Sequence, residues 1–93
     1  MLTVFVEHFL TEAGREYFPV WMGEVRTAVA PFPGFRALRK VTDVEQSERC
    51  LLFLEFASVE ELRVWGGSEA HRRALGKIKP YQVKKQHSQL LLS

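Results

Sequence analysis

The segment Trp65-Gly66-Gly67-Ser68-Glu69-Ala70-His71-Arg72 holds the residues of this chain best suited to chemistry. His71 falls on one apolar helical face with Ala74, Leu75 and Ile78, close to where a helix should start. The positive end of the helix dipole disfavours a second proton there, so the imidazole would stay neutral and able to accept one. The plainer reading is a buried histidine with a backbone partner. Glu61, one helical turn before Trp65, could act as a carboxylate base or simply sit in water. Arg72 and Arg73 follow His71, and either could orient an anionic substrate. Arg73 and Lys77 also form an i, i+4 pair that reads as a solvated face. His8, beside Glu7 late in the first strand, reads as a sheet-face histidine satisfied by a neighbour, and His87 as structural. No His, Cys or acidic pair has metal-ligand spacing. Gly66-Gly67 joins two helical pieces and does not cradle a phosphate, and no Ser-His-acid order is readable.

Composition narrows the class. The chain has 93 residues, 46% of them apolar, with seven Phe, two Trp and two Tyr. Such a chain is too greasy for disorder and has trouble hiding everything inside a monomer. It reads as one domain, 1–93. No apolar run approaches the ~20 residues of a membrane helix, and the opening Met-Leu-Thr-Val-Phe-Val-Glu reads as a strand of a cytoplasmic protein, not as a signal peptide. The lone Cys50 lies in an apolar run and reads as core. The net charge of +2 is uneven: residues 1–65 carry ten acids and seven bases, residues 66–93 six bases and only Glu69. The basic end is a solvated face or an attraction for an anionic ligand. Nucleic acid is not an expected partner, because the third strand offers Phe53 but no basic residue after Arg49.

Periodicity supplies the elements. Leu2–Phe9 is apolar on both alternating series, as a central strand is. Residues 14–30 form a helix whose stripe is Phe18, Trp21, Met22, Val25, Ala28 and Val29. Pro19 predicts that its regular part begins near Phe18, and Pro31-Phe32-Pro33-Gly34 ends it. Phe35–Val44 is a charged edge strand, Asp43–Glu48 a polar hairpin turn, and Cys50–Phe56 a second buried strand. Ser58-Val59-Glu60-Glu61 is a capping box. Ser68 caps a further helical piece through Lys77, Pro80 stops it, and Tyr81–Leu92 is the last strand. The order is βαββαβ, an α+β ferredoxin-like plan with a four-stranded antiparallel sheet, in which strands one and three lie in the middle. Two helices cover one face of such a sheet. The other face remains apolar, and a two-fold pairing of two copies is the commonest way to bury it. A homodimer is therefore expected.

Pro33-Gly34-Phe35 after the first helix, the apolar strand Leu51–Phe56 before a capped helix, and above all the Trp-x-x-Ser-x-x-His spacing of Trp65, Ser68 and His71 resemble the antibiotic biosynthesis monooxygenase family of dimeric α+β barrels. The likeness spans nearly the whole chain. It implies a homodimer whose sheets face one another and a pocket in each protomer between sheet and helices. Some members oxidise aromatic polyketides or quinols with molecular oxygen and neither metal nor flavin. Others degrade haem, and some are isomerases. On that likeness His71 and Trp65 are the expected catalytic pair, with Phe18, Trp21, Glu61, Trp65 and Arg72 around a small aromatic ligand and no cofactor. Glu61 stands where some aromatic-oxidising members have asparagine. Glu7 stands near the asparagine of haem-degrading members, and His71 follows Trp65 more closely than their iron ligand does. Both departures argue against haem degradation. A non-catalytic binder or structural dimer of the same fold is the alternative.

Overall fold

The computed structural model describes residues 1–93. The chain runs β1 (Leu2–Leu10), α1 (Glu12–Val29), β2 (Phe35–Val41), β3 (Cys50–Phe56), α2 (Val59–Gly66), α3 (Glu69–Ile78), a 3-10 turn (Lys79–Tyr81) and β4 (Gln82–Leu92). The strands form one antiparallel sheet in the order β2-β3-β1-β4. This is the ferredoxin-like βαββαβ arrangement, with the two most apolar strands in the middle as the sequence expects. No helix is long and apolar enough to cross a membrane.

Side chains alternate across the sheet. In the central strands Leu2, Val4, Val6, His8 and Leu10 face the helices, opposite Phe56, Leu54, Leu52 and Cys50 in register. Phe18, Trp21, Met22, Val25 and Val29 of α1, with Trp65, Ala74 and Ile78 of α2 and α3, close the core over them. The opposite face carries Phe5 and Phe53, whose ring centroids are 5.5 Å apart, with Arg39 beside Phe53 and Lys84 over the Phe9 ring. No helix lies on that side. Its one charged cluster joins Arg49 to Glu7 and to Asp43 at 2.6 and 2.7 Å.

Several boundaries differ from the sequence reading. α1 is a regular helix from Glu12 onward, and Pro19 lies inside it. Thr11 caps the helix by accepting from the Gly14 amide at 3.1 Å. Pro19 lies on the exposed side, so its ring displaces no core residue. The missing hydrogen bond, a cost of ~3 kcal/mol in an interior position, is offset by the buried stripe either side of it. β2 stops at Val41 because Asp43 turns the chain, its Oδ1 accepting from the Glu45 and Gln46 amides. β1 continues to Leu10, and Tyr81 belongs to the 3-10 turn, not to the last strand. β4 also pairs with β1 out of step: His87 faces Glu7 but Lys84 faces Phe9, so two residues of β4 oppose His8 alone, and a second shift follows before Leu10. These are β-bulges on the edge strand.

Candidate functional site

Ser68 explains why the Trp-x-x-Ser-x-x-His spacing works as a unit. Its Oγ accepts from the His71 amide at 3.1 Å and donates to the Trp65 carbonyl at 2.6 Å. One hydroxyl thus caps α3 and fixes the end of α2 against it. The result is an edge-on contact of the Trp65 indole and the His71 ring, centroids 5.2 Å apart and planes at 78°. Phe32, in the turn after α1, meets Trp65 on a second side at 5.0 Å. Trp21 is fixed differently: its Nε1–H donates to the Ala74 carbonyl of α3 at 2.8 Å, tying α1 to α3.

Between these side chains and the sheet lies a cavity of about 80 Å³. Val6, His8, Leu52 and Leu54 form its floor, Trp21 and Val25 one wall, and Trp65, His71 and Ala74 the other. Leu75 of α3 and Gln86 and Ser88 of β4, all less buried, mark the mouth. Beyond the mouth Lys79, Lys84 and Lys85 flank a surface groove with Gln82 and Gln86. The space is apolar with a few polar groups turned inward, the composition of a small-molecule site.

Both histidines at this cavity are held neutral. Burial alone drives the His8 imidazole down to about 4. Burial also holds His71 below its ordinary value, opposed by its contact with the Gly66 backbone, which favours the charged form. Desolvation is thus the leading cause of the lowered value at His71. A neutral imidazole can accept a proton at one nitrogen and donate from the other. No group of three His, Cys, Asp or Glu side chains is placed to hold a metal ion.

The expected site residues divide between the cavity and other places. Trp65, His71 and Trp21 line it. Phe18 is buried behind Trp21, stacked on it at 5.9 Å, and reaches the site through that ring. Glu61 makes a variant of the capping box: its amide donates to Ser58 Oγ at 3.3 Å, and its Oε1 accepts from that hydroxyl at 3.1 Å in place of the Ser58 amide. Its carboxylate fills the space beside Gly34, so it braces the turn before β2. Arg72 is exposed and paired with Glu69; it lines not the cavity but an adjoining surface depression with Gly66, Gly67 and Lys79, which shares His71 and Leu75 with the cavity. His8 joins the cavity, although by sequence it is expected only to be satisfied by a neighbour. A signal for this exists: His8 shares the face of Val4 and Val6 on a strand buried on both sides.

No protein-family model matches the sequence, and no curated protein matches it. Solved structures do. A structure named antibiotic biosynthesis monooxygenase aligns over 100% of this chain and 98% of its own at 18% identity, with a TM-score of 0.75. Rv0793 from Mycobacterium tuberculosis aligns over 99% and 93% at 13% identity, with a TM-score of 0.84. A variant of SnoaB, named a cofactor-independent oxygenase from Streptomyces nogalater, aligns over 99% and 92% at 11% identity, with a TM-score of 0.81. The chain therefore shares, end to end, the fold of structures that carry the antibiotic biosynthesis monooxygenase name.

Proposed function

We propose that this chain is a homodimeric, cofactor-independent monooxygenase that acts on a small aromatic or quinol molecule in the cavity between its helices and sheet. The observation that carries the reading is the apolar cavity where Trp65 and a neutral His71 meet, on a fold shared with a named cofactor-independent oxygenase. The substrate serves as its own reductant. A base removes a proton from an activated ring carbon or hydroxyl, giving an electron-rich anion. That anion passes electrons to dioxygen. One oxygen atom becomes a carbonyl on the ring carbon, and the two hydrogens lost, both from that carbon or one from it and one from the hydroxyl, leave with the second atom as water. On this reading His71 accepts the proton, Trp65 and Trp21 sandwich the ring, and Val6, Val25, Leu52 and Leu54 keep water from the anion and from the peroxide it forms with dioxygen.

Assembly belongs to the same proposal. Phe5, Phe9 and Phe53 on the uncovered face would be buried against the same residues of a second copy, closing two sheets into a barrel. Each fully buried Phe contributes ~1.5–3 kcal/mol. Glu61 and Arg72 could reach a ligand only beyond the cavity proper. Arg72 would then steer an anion along the surface next to the mouth.

The size of the cavity favours a second reading. About 80 Å³ is roughly half of the ~150 Å³ apolar cavity that takes benzene. A ring is admitted only if Leu75 and Gln86 swing aside, and a scaffold dimer that binds small molecules without turnover would look the same at rest. Oxygen uptake with a panel of quinols and anthrones separates the two. The enzyme reading expects turnover that falls at least tenfold in His71→Ala. A silent wild type, or a fully active His71→Ala, leaves the binding scaffold.

A further inference from the structure

His8 is a buried polar group whose hydrogen bonding is incomplete. It lies on the helix side of β1 and is 3% exposed. Its Nδ1 faces the Gln82 side-chain Nε2 at 3.4 Å, and the same Nε2 donates to Gln86 Oε1 at 2.8 Å. With the Gln82 amide in this orientation, its nitrogen has two hydrogens and no acceptor, so Nδ1 accepts and the ring proton is assigned to Nε2. That Nε2–H meets no protein acceptor. It is not sealed off either: every side-chain nitrogen or oxygen shut away from solvent in this chain has a partner, and the ring borders the cavity. The Trp21 edge at 4.9 Å and Phe18 at 6.0 Å hold the ring in place. Trp65 lines the same space, and the Trp21 N–H is taken by Ala74.

We propose that the Nε2–H of His8 is the hydrogen-bond donor that seats an oxygen of the cavity's occupant, so that the site selects an aromatic ring bearing a carbonyl, phenolic or phenolate oxygen. The inference rests on the reading that an aromatic molecule enters this cavity, but not on turnover. The Nε2–H opens only onto the cavity beside Val6, Leu52 and Leu54, so a ligand that enters takes the place of any water there and must supply the acceptor itself. An oxygen acceptor restores the bond, and a bare hydrocarbon ring does not. The donor also strengthens as negative charge gathers on that oxygen, which is what proton removal by His71 on the opposite wall would cause.

Phenol and toluene, nearly equal in shape, are the probes. In nitrogen-15 imidazole spectra of the wild-type protein, His8 is expected as the Nε2–H tautomer, with that proton shifted by phenol and not by toluene. Binding of the two probes is then compared across variants. His8→Leu should weaken phenol relative to toluene by about tenfold, and His8→Gln, whose amide N–H reaches the same place, should keep the wild-type ratio. A proton on Nδ1, an Nε2–H indifferent to phenol, an unchanged ratio in His8→Leu, or failure of both probes to bind at millimolar concentration would overturn the proposal. The spectra need only the wild type, so they decide the matter even where a variant does not fold. A positive His8 result without oxygen uptake on quinols removes the enzyme and keeps the donor.

Discussion

β1 and β3 present two unlike faces from one pair of strands. Toward the helices they show Val4, Leu54 and Phe56, nearly sealed, with His8 as the only polar interruption. Away from the helices they show Phe5, Phe9 and Phe53, only half-covered, with a Glu7–Arg49–Asp43 cluster at one end. The first face is complete within the chain, and its one imperfection is the cavity. The second is aromatic and open, with Arg39 and Lys84 laid over its rings and an ion-paired cluster at its end, the character of a surface that meets another surface. Alternation within a strand thus separates two tasks, so a substitution should disturb one and spare the other.

The sharpest way to break that separation is Phe56→Ala. Phe56 has no exposed surface, and its truncation should cost ~3–5 kcal/mol in urea unfolding. The matching change on the other face, Phe53→Glu, should leave circular dichroism intact; on the proposed dimer, sedimentation should give two subunits for the wild type and one for the variant. If Phe53→Glu instead unfolds the chain without passing through a folded single subunit, the faces are not independent. His8 gives the next effect. Its folded value of about 4 lies below the ordinary 6.5, so the unfolded chain takes up the proton first. Stability is then full above 6.5, falls by ~1.4 kcal/mol per pH unit as pH drops from there toward 4, and levels off below. Denaturant titrations over that range should show the slope in wild type and lose it in His8→Gln.

Gly34 and Glu7 supply smaller tests. Gly34 has φ +80°, and a Cβ there would collide with the Glu61 carboxylate, so Gly34→Ala should destabilise by ~1–2 kcal/mol in the same assay. Arg49, hydrogen-bonded and charged, holds the Glu7 carboxyl below its ordinary 4.5. The stabilisation from Glu7 is therefore present above 4.5 and disappears as pH falls through the lowered folded value. Glu7→Gln should lose stability at neutral pH but converge on wild type in acid. Parallel curves at every pH would mean that the cluster does not stabilise this face.

Much of the fold was legible because burial writes itself into alternation. Strands apolar on both series had to be central, and β1 and β3 are. The capping box at Ser58 and the cap at Ser68 marked two helix starts correctly, since each needs only a hydroxyl three residues before an amide. Pro19 misled because its cost is local, whereas the compensation comes from core contacts that only tertiary structure reveals. The site was partly legible. Trp65 and His71 share a face by spacing and meet in space. Glu61 and Arg72 are as near in sequence but point elsewhere, because a capping box and an ion pair with Glu69 claim them. His8 joined the site through a strand more than fifty residues away, a juxtaposition that no local spacing encodes.

The two bulges of β4 mean that the strand keeps two phases. Its second half, from His87 on, is in step with β1 so that Leu90 faces the same side as Val4, while Gln82 is brought to Leu10 only through the two shifts in between. Removal of a single residue from Lys84–Gln86 could not be absorbed by sliding. Either the terminal leucines would invert, exchanging the side Leu90 and Leu92 present for that of Leu91, or Gln82 would withdraw from the imidazole it reaches and from Gln86, its other partner. Length in this stretch is therefore a constraint as strict as residue type, and frame-preserving insertions or deletions between Tyr81 and His87 should be the least tolerated in any strand of the sheet.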